Sequence, residues 1–234
     1  MTAILKREFL AYFRTPLGYV FVSAAYLFTG YFFFTFNIFG NTTNTSDLFA
    51  TLFSVVLFLI PVLTMRLLSE ERRAGTDQTL LTAPVSRLCI VLCKYFAALC
   101  VYAIAITGTL VMAAILQFYS QPDWPVVAGN FLGLFLLGAT LIAICLFISS
   151  LTENQVIAAV GGFGASLLLV LLDALRFVVT SNLLRQIFEH LSFNRRYRGF
   201  TIGVISLPDV LFFVSMAACF ILLTVCVLER RRWS

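Results

Sequence analysis

Six stretches of 18 or more residues carry no Asp, Glu, Lys or Arg: 15–46, 48–65, 95–122, 124–152, 154–172 and 210–228, together 145 of the 234 residues. A helix needs about 20 mostly apolar residues to cross a bilayer, with 18 as a working threshold. What is left over is too scattered for a separate soluble domain, which takes about 50 residues or more. The chain is 61% hydrophobic and 12% charged, where an ordinary soluble domain has about 25% charged residues. The expectation is an all-α integral membrane protein forming one transmembrane domain over residues 1–234. Coarse spans fall at 17–38, 48–68, 88–119, 126–150, 155–178 and 209–228. Any chemistry that needs a soluble fold belongs on another chain.

Six spans place both termini on one side, and basic residues concentrate on the cytoplasmic side of membrane proteins. With the N-terminus inside, Lys6, Arg7, Arg14, Arg66, Arg72, Arg73, Arg87, Lys94, Arg230, Arg231 and Arg232 lie inside, and Arg176, Arg185, Arg195, Arg196 and Arg198 outside. Counting acidic residues as well, the inner side carries the whole net charge of +5 and the outer side is neutral. The charge is an orientation signal, N-in and C-in, and does not point to nucleic acid. The first apolar run is too long for a cleavable signal, whose core spans about 7–15 residues. Residues 4–14 read instead as an interfacial helix: Leu5, Phe9, Tyr12 and Phe13 share a face, and Lys6, Arg7 and Arg14 can reach anionic headgroups. Lys94, just inside the third span, is expected to snorkel to the cytoplasmic headgroups.

Gly129 and Gly133 form a GxxxG in the fourth span, and Gly161, Gly162 and Gly164 cluster in the fifth. Small residues let helices in lipid approach closely, and a dinucleotide fingerprint would need a preceding strand. All six cysteines fall inside spans and read as small apolar residues, although Cys89 and Cys93 share a face at a spacing metal sites use. The one histidine, His190, lies in the last external segment and reads as a surface residue. Asp173 and Arg176 read as an ion pair at the outer end of the fifth span. Asn41-Thr42-Thr43 and Asn44-Thr45-Ser46 match the glycosylation sequon, as polar turns often do.

The richest cytoplasmic segment is 66–86. Gly75 suits a helix C-cap and Thr76 an N-cap, with Asp77 in the first turn. Leu80, Leu81 and Ala83 would give this short helix an apolar side, and Pro84 would end it. A capped amphipathic helix on the cytoplasmic face suits docking better than a passive linker. The second cytoplasmic loop, 149–155, is short and polar. No phosphate-binding GxxxxGK[ST], HExxH or GxSxG motif occurs, so nucleotide energy would have to come from a partner.

Three segments carry a resemblance: Ser69-Glu70-Glu71-Arg72-Arg73-Ala74-Gly75-Thr76 with Leu80-Leu81-Thr82-Ala83-Pro84-Val85-Ser86; Leu191-Ser192-Phe193 through Gly203-Val204-Ile205 and Leu207-Pro208-Asp209-Val210; and the tail Leu228-Glu229-Arg230-Arg231-Arg232-Trp233. With Ser149 and Leu151 to Gln155, they resemble the permease subunit of ABC-2-type exporters, the type V ABC transporter fold, and are similar to its gliding-motility-associated branch. That branch often has a basic residue before its glycine-valine pair and an acidic one after it. Here Ile202 and Ser206 stand in those places.

The resemblance implies a dimer of two permeases, each docking a cytoplasmic ABC ATPase that holds ATP and Mg, with no cofactor on this chain. The coupling set would be Glu70, Glu71, Arg72, Arg73, Thr76, Leu80, Leu81 and Pro84, with Glu153 and Asn154 as a secondary contact. The segment 180–207, with Arg195, Arg196, Arg198 and Gly203, would cap the outer exit as re-entrant or interfacial helices. The protein would sit in the plasma (inner) membrane of a bacterium, among membrane lipid. Rival readings are a secondary transporter or channel independent of ATP, and a scaffold that engages an ATPase without transport. The central parts of all six spans lack the ionisable residues that secondary transporters commonly place there.

Overall fold

A computed structural model describes residues 2–73, 86–119, 123–178 and 192–230. Every regular element among them is a helix. In chain order they are α1 (Thr2–Arg14), α2 (Pro16–Phe33, running on as a π-helical turn over Phe34–Phe39), α3 (Ser46–Thr64), α4 (Ser69–Arg73), α5 (Arg87–Tyr119), α6 (Trp124–Leu151), α7 (Gln155–Val178), α8 (Phe193–Thr201) and α9 (Leu207–Arg230). Six helical stretches, containing α2, α3, α5, α6, α7 and α9, are long and apolar enough to cross a membrane, and they match the spans read from the sequence to within a few residues.

The fold is organised round α6. It packs against α3, α5, α7, α8 and α9, and 72% of its most apolar window is buried, against 22% for the stretch containing α2 and 17% for α7. Glycine makes this central position workable. At Gly138 the Tyr102 ring of α5 occupies the space of a side chain, and the Tyr102 hydroxyl donates to the Leu134 carbonyl at 2.6 Å. The Thr140 hydroxyl is bonded to the Phe213 carbonyl of α9 at 3.0 Å. Outward faces of α2 and α7 carry exposed Tyr19, Leu27, Val160 and Leu167, as helices facing lipid or a second protein would.

The GxxxG expectation changes its partner. A side chain at Gly133 would meet the Phe200 ring, and one at Gly129 would meet Gly203 and the Phe200 carbonyl. Gly129 and Gly133 therefore seat the short outer helix α8, not a neighbouring span. Gly162 of α7 does serve helix packing, against Pro61 of α3 and Cys145 of α6, while Gly164 faces open space.

The charge-based division into two sides holds among the described residues. At one end, called inner here, Lys94 pairs with Glu8, Arg72 with Glu153, and Arg87 approaches Glu229 at 3.7 Å. At the other, the Ser46 hydroxyl donates to the Thr201 carbonyl at 2.8 Å and Gly203 packs on Val126.

Candidate functional site

The inner end collects most of the residues singled out for coupling. α1 forms the expected amphipathic helix: Tyr12 is buried, with Phe9 and Phe13 packed against the core. The Tyr12 hydroxyl reaches the Leu63 carbonyl at 3.4 Å, and burial pushes its phenol well above the ordinary range. Gly18 lets α2 start there, since a Cβ would lie 2.6 Å from the Tyr12 carbonyl oxygen.

Between α3 and α4 the chain breaks helical register, leaving the Leu68 and Ser69 amides to be satisfied from elsewhere. Both donate to the Ser149 hydroxyl of α6 at 3.2 Å. A buried amide without a partner costs about 1–3 kcal/mol, so this buried serine fixes where α4 begins. α4 then presents four charges. Arg66 grips Glu70 through two hydrogen bonds of 2.7 and 2.5 Å. Arg72 reaches the next inner loop, bonding Glu153 at 2.7 Å and the Leu151 carbonyl at 3.1 Å. Glu71 accepts from Lys94 at 2.7 Å. Arg73 is exposed.

Lys94 does not snorkel. Its side chain is 3% exposed and its ammonium lies between Glu71 and Glu8, at 2.7 and 3.0 Å. Headgroup contact is precluded because α1 and α4 cover it with their carboxylates. Arg7 holds the other oxygen of Glu8 at 2.7 Å. Burial works to raise the Glu8 carboxyl, but the Lys94 charge and the hydrogen bonds from Arg7 and Lys94 outweigh it, holding the group below its ordinary range. Among the described residues two cations and two anions meet here, which lets an ammonium be buried. Removing one partner of such a pair costs about 3–5 kcal/mol.

Of the remaining coupling residues, Asn154 starts α7: its side-chain oxygen accepts the Val156 amide at 2.9 Å, as an N-cap does. Thr76, Leu80, Leu81 and Pro84 lie outside the described residues, as do His190 and Trp233.

The outer end is built from α8. Ser192 caps it by accepting the Arg195 amide at 3.1 Å and also bonds the buried Asp173 of α7. The side chain of Arg176, the expected partner of Asp173, lies outside the described residues. Phe193, Tyr197 and Phe200 form the buried face, and the Tyr197 hydroxyl donates to the Phe49 carbonyl at 2.9 Å. Arg196 bonds Asp209 at 2.9 Å and lies 4.2 Å over the Phe212 ring. Arg195 and Arg198 lie on the exposed face. Gly203 ends the helix at φ +77°, with its amide bonded to the Phe200 carbonyl and that of Val204 to the Gly199 carbonyl, each at 3.0 Å. This is the paired bonding of a Schellman turn, which favours glycine.

Sequence reasoning missed Glu8, Lys94 and Ser149. The signals were there in part: one acidic residue on an otherwise basic amphipathic helix, and a lysine two turns inside an apolar span, where a charge calls for a partner.

A family model described as ABC-2 family transporter protein matches residues 4–163, from α1 into α7 and across both inner connections. No curated protein matches the chain. With about two thirds of its length under that match, the chain belongs to the ABC-2 transporter family, as the membrane permease subunit of an ABC transporter.

Proposed function

We propose that this permease works as one half of a dimer that exports its cargo across the inner membrane of a bacterium, driven by a separate cytoplasmic ATPase that docks on residues 66–86. ATP and Mg belong to that partner. The observation that carries the reading is the way the inner end is braced: Ser149, Glu153 and Lys94 fix the base of the segment to three different parts of the bundle. A passive loop needs no such bracing. Leu80 and Leu81 supply the apolar contact with the ATPase, and Glu153 and Asn154 of the second inner loop supply a secondary contact. Glu70, Glu71 and Arg72 belong to the charged contact through the shape they give α4, and Arg73 through its exposed guanidinium.

A second protomer suits the exposed face of α7, where Ile157, Val160, Gly164, Leu167 and Leu171 recur at alternating spacings of three and four, the pattern of a helix-pairing seam. At the outer end, α8 and the following turn with Gly203 cap the exit. Closure of the ATPase dimer on ATP would draw the two docked segments together and bias the permease between two rigid-body arrangements. The similarity to the gliding-motility-associated branch rests on the segments around 69–86, 191–210 and 228–233.

The test is purification of the tagged chain from its native host. A P-loop ATPase should co-purify, with vanadate-sensitive hydrolysis, and Leu80→Asp with Leu81→Asp should abolish both. An intact, correctly inserted variant that keeps its ATPase and its hydrolysis would refute the docking site. Transport in vesicles lacking any ATPase would refute the energy source.

A further inference from the structure

We propose that Lys94 is a positioning residue that makes the interfacial helix α1 and the base of the coupling segment move as one body. It rests on the coupling reading above. The two helices pack on different parts of the bundle: α1 on α2 and α5, α4 on α6 and α7. Lys94, on α5, joins them, because its ammonium bonds Glu8 of α1 at 3.0 Å and Glu71 of α4 at 2.7 Å. These carboxylates are 63 residues apart in the chain.

The physics favours a tie over an incidental contact. An ammonium has three donors and no acceptor, and at 3% exposure water cannot replace a lost carboxylate. If α4 shifted alone, either Glu71 would leave a buried cation behind or Lys94 would follow it and abandon Glu8. Each outcome strands a charge in a medium where stranding is costly. The arrangement that keeps every charge paired is the one in which α1 follows α4. Glu8 also accepts a hydrogen bond from Arg7 at its other oxygen, 2.7 Å away. The Tyr12–Leu63 bond, at 3.4 Å, is a longer and uncharged second link between α1 and the α3–α4 region.

The experiment uses the full chain in nanodiscs, alone and as the complex with its co-purified ATPase. Spin labels at Leu10 and Arg73, both exposed, report the α1–α4 distance in the chain alone, and hydrolysis is measured on the unlabelled complex, where Arg73 is intact. The variants are Lys94→Met and the triple Glu8→Gln, Lys94→Met, Glu71→Gln. The triple removes every member of the buried triad's charge and so avoids stranding one. The expected result is that the triple shows a broadened label distance in the chain alone and, per ATPase bound, loses about 5-fold or more of the permease-dependent stimulation of hydrolysis, the lower end of ordinary coupling between sites. A triple variant with wild-type label distances and wild-type stimulation would overturn the proposal, showing that Lys94 only balances charge. Failure of the wild-type chain to bring down any ATPase would overturn the coupling reading instead, and the label distances in the chain alone would still decide whether Lys94 ties the helices. Should Lys94→Met fail to insert, the triple alone decides.

Discussion

Adding one methyl group at Gly138 places a carbon 2.2 Å from two ring atoms of Tyr102 and 2.6 Å from its hydroxyl. Carbon atoms pack at about 3.5–4.0 Å, so the ring must leave. Tyr102 is 1% exposed, and there is no room for it to move without displacing α5. Overpacking of this kind costs about 1–3 kcal/mol, and the lost bond to the Leu134 carbonyl adds about 0.5–1.5 kcal/mol. Replacing glycine by alanine inside a helix returns about 1 kcal/mol. Gly138→Ala should therefore destabilise by about 0.5–3.5 kcal/mol, centred near 2 kcal/mol. At about 2–4 °C per kcal/mol for a chain of this size, the central value is roughly 4–8 °C in melting temperature. Tyr102→Leu removes the atoms that clash. In that background Gly138→Ala should change sign, filling space and gaining helix propensity. A thiol-reactive dye can follow melting in detergent, because Cys93 and Cys145 are buried; exposed Cys100, Cys219 and Cys226 would first be replaced by alanine. Additive effects of the two substitutions, with Gly138→Ala equally harmful in both backgrounds, would refute the account of α6 as a helix built to admit a ring.

Ser149→Ala strands the Leu68 and Ser69 amides and should cost about 1–3 kcal/mol by the same melting assay; a wild-type melting temperature would show that α4 is not anchored there. Gly203→Ala forces a Cβ into the left-handed region, costing about 1–2 kcal/mol, and sets it 3.0 Å from the Val126 side chain, whereas Gly164→Ala meets nothing within 4 Å among the described residues and should be neutral or stabilising. Glu8 is held below its ordinary carboxyl range, so its contribution is fully present above the unfolded value and is lost as pH falls through the folded one. Stability should therefore drop on acidification below about pH 4.5, an ordinary glutamate value, and Glu8→Gln should lose less over that interval than the wild type.

The spans were legible because their cause is local: an apolar run long enough to cross lipid must satisfy its own backbone bonds, and a helix does that. The sorting of charged residues to two ends was legible for the same kind of reason, since charge asymmetry is additive along the chain. The links between distant segments were not. Nothing near Ser149 in sequence shows that its hydroxyl serves amides 80 residues earlier, and nothing near Lys94 shows that Glu8 and Glu71 converge on it. Each depends on which helices become neighbours. The glycines of the fourth span were read for their size, correctly, but their partner could not be read. A small residue specifies that something comes close, and only the packed bundle shows that Phe200 and Gly203 of the outer segment do.

That convergence makes α6 the mechanical link between the two ends of the molecule. Its inner end holds the start of α4 through Ser149, and 16 residues earlier Gly133 seats Phe200 of α8. At 1.5 Å per residue these points lie about 24 Å apart on one continuous helix. No proline or helix break separates them, so the helix has no hinge in which to absorb a displacement. Three further helices grip it between the two points or beside them, through Tyr102, Phe213 and Gly162. A push delivered at α4 therefore either moves α6 with its partners as a block, carrying the seat of α8 along, or breaks the two amide bonds at Ser149. The second route strands buried polar groups and the first strands none. A rigid central helix anchored at both ends would carry a movement of α4 to α8, with no ionisable group needed between the two points.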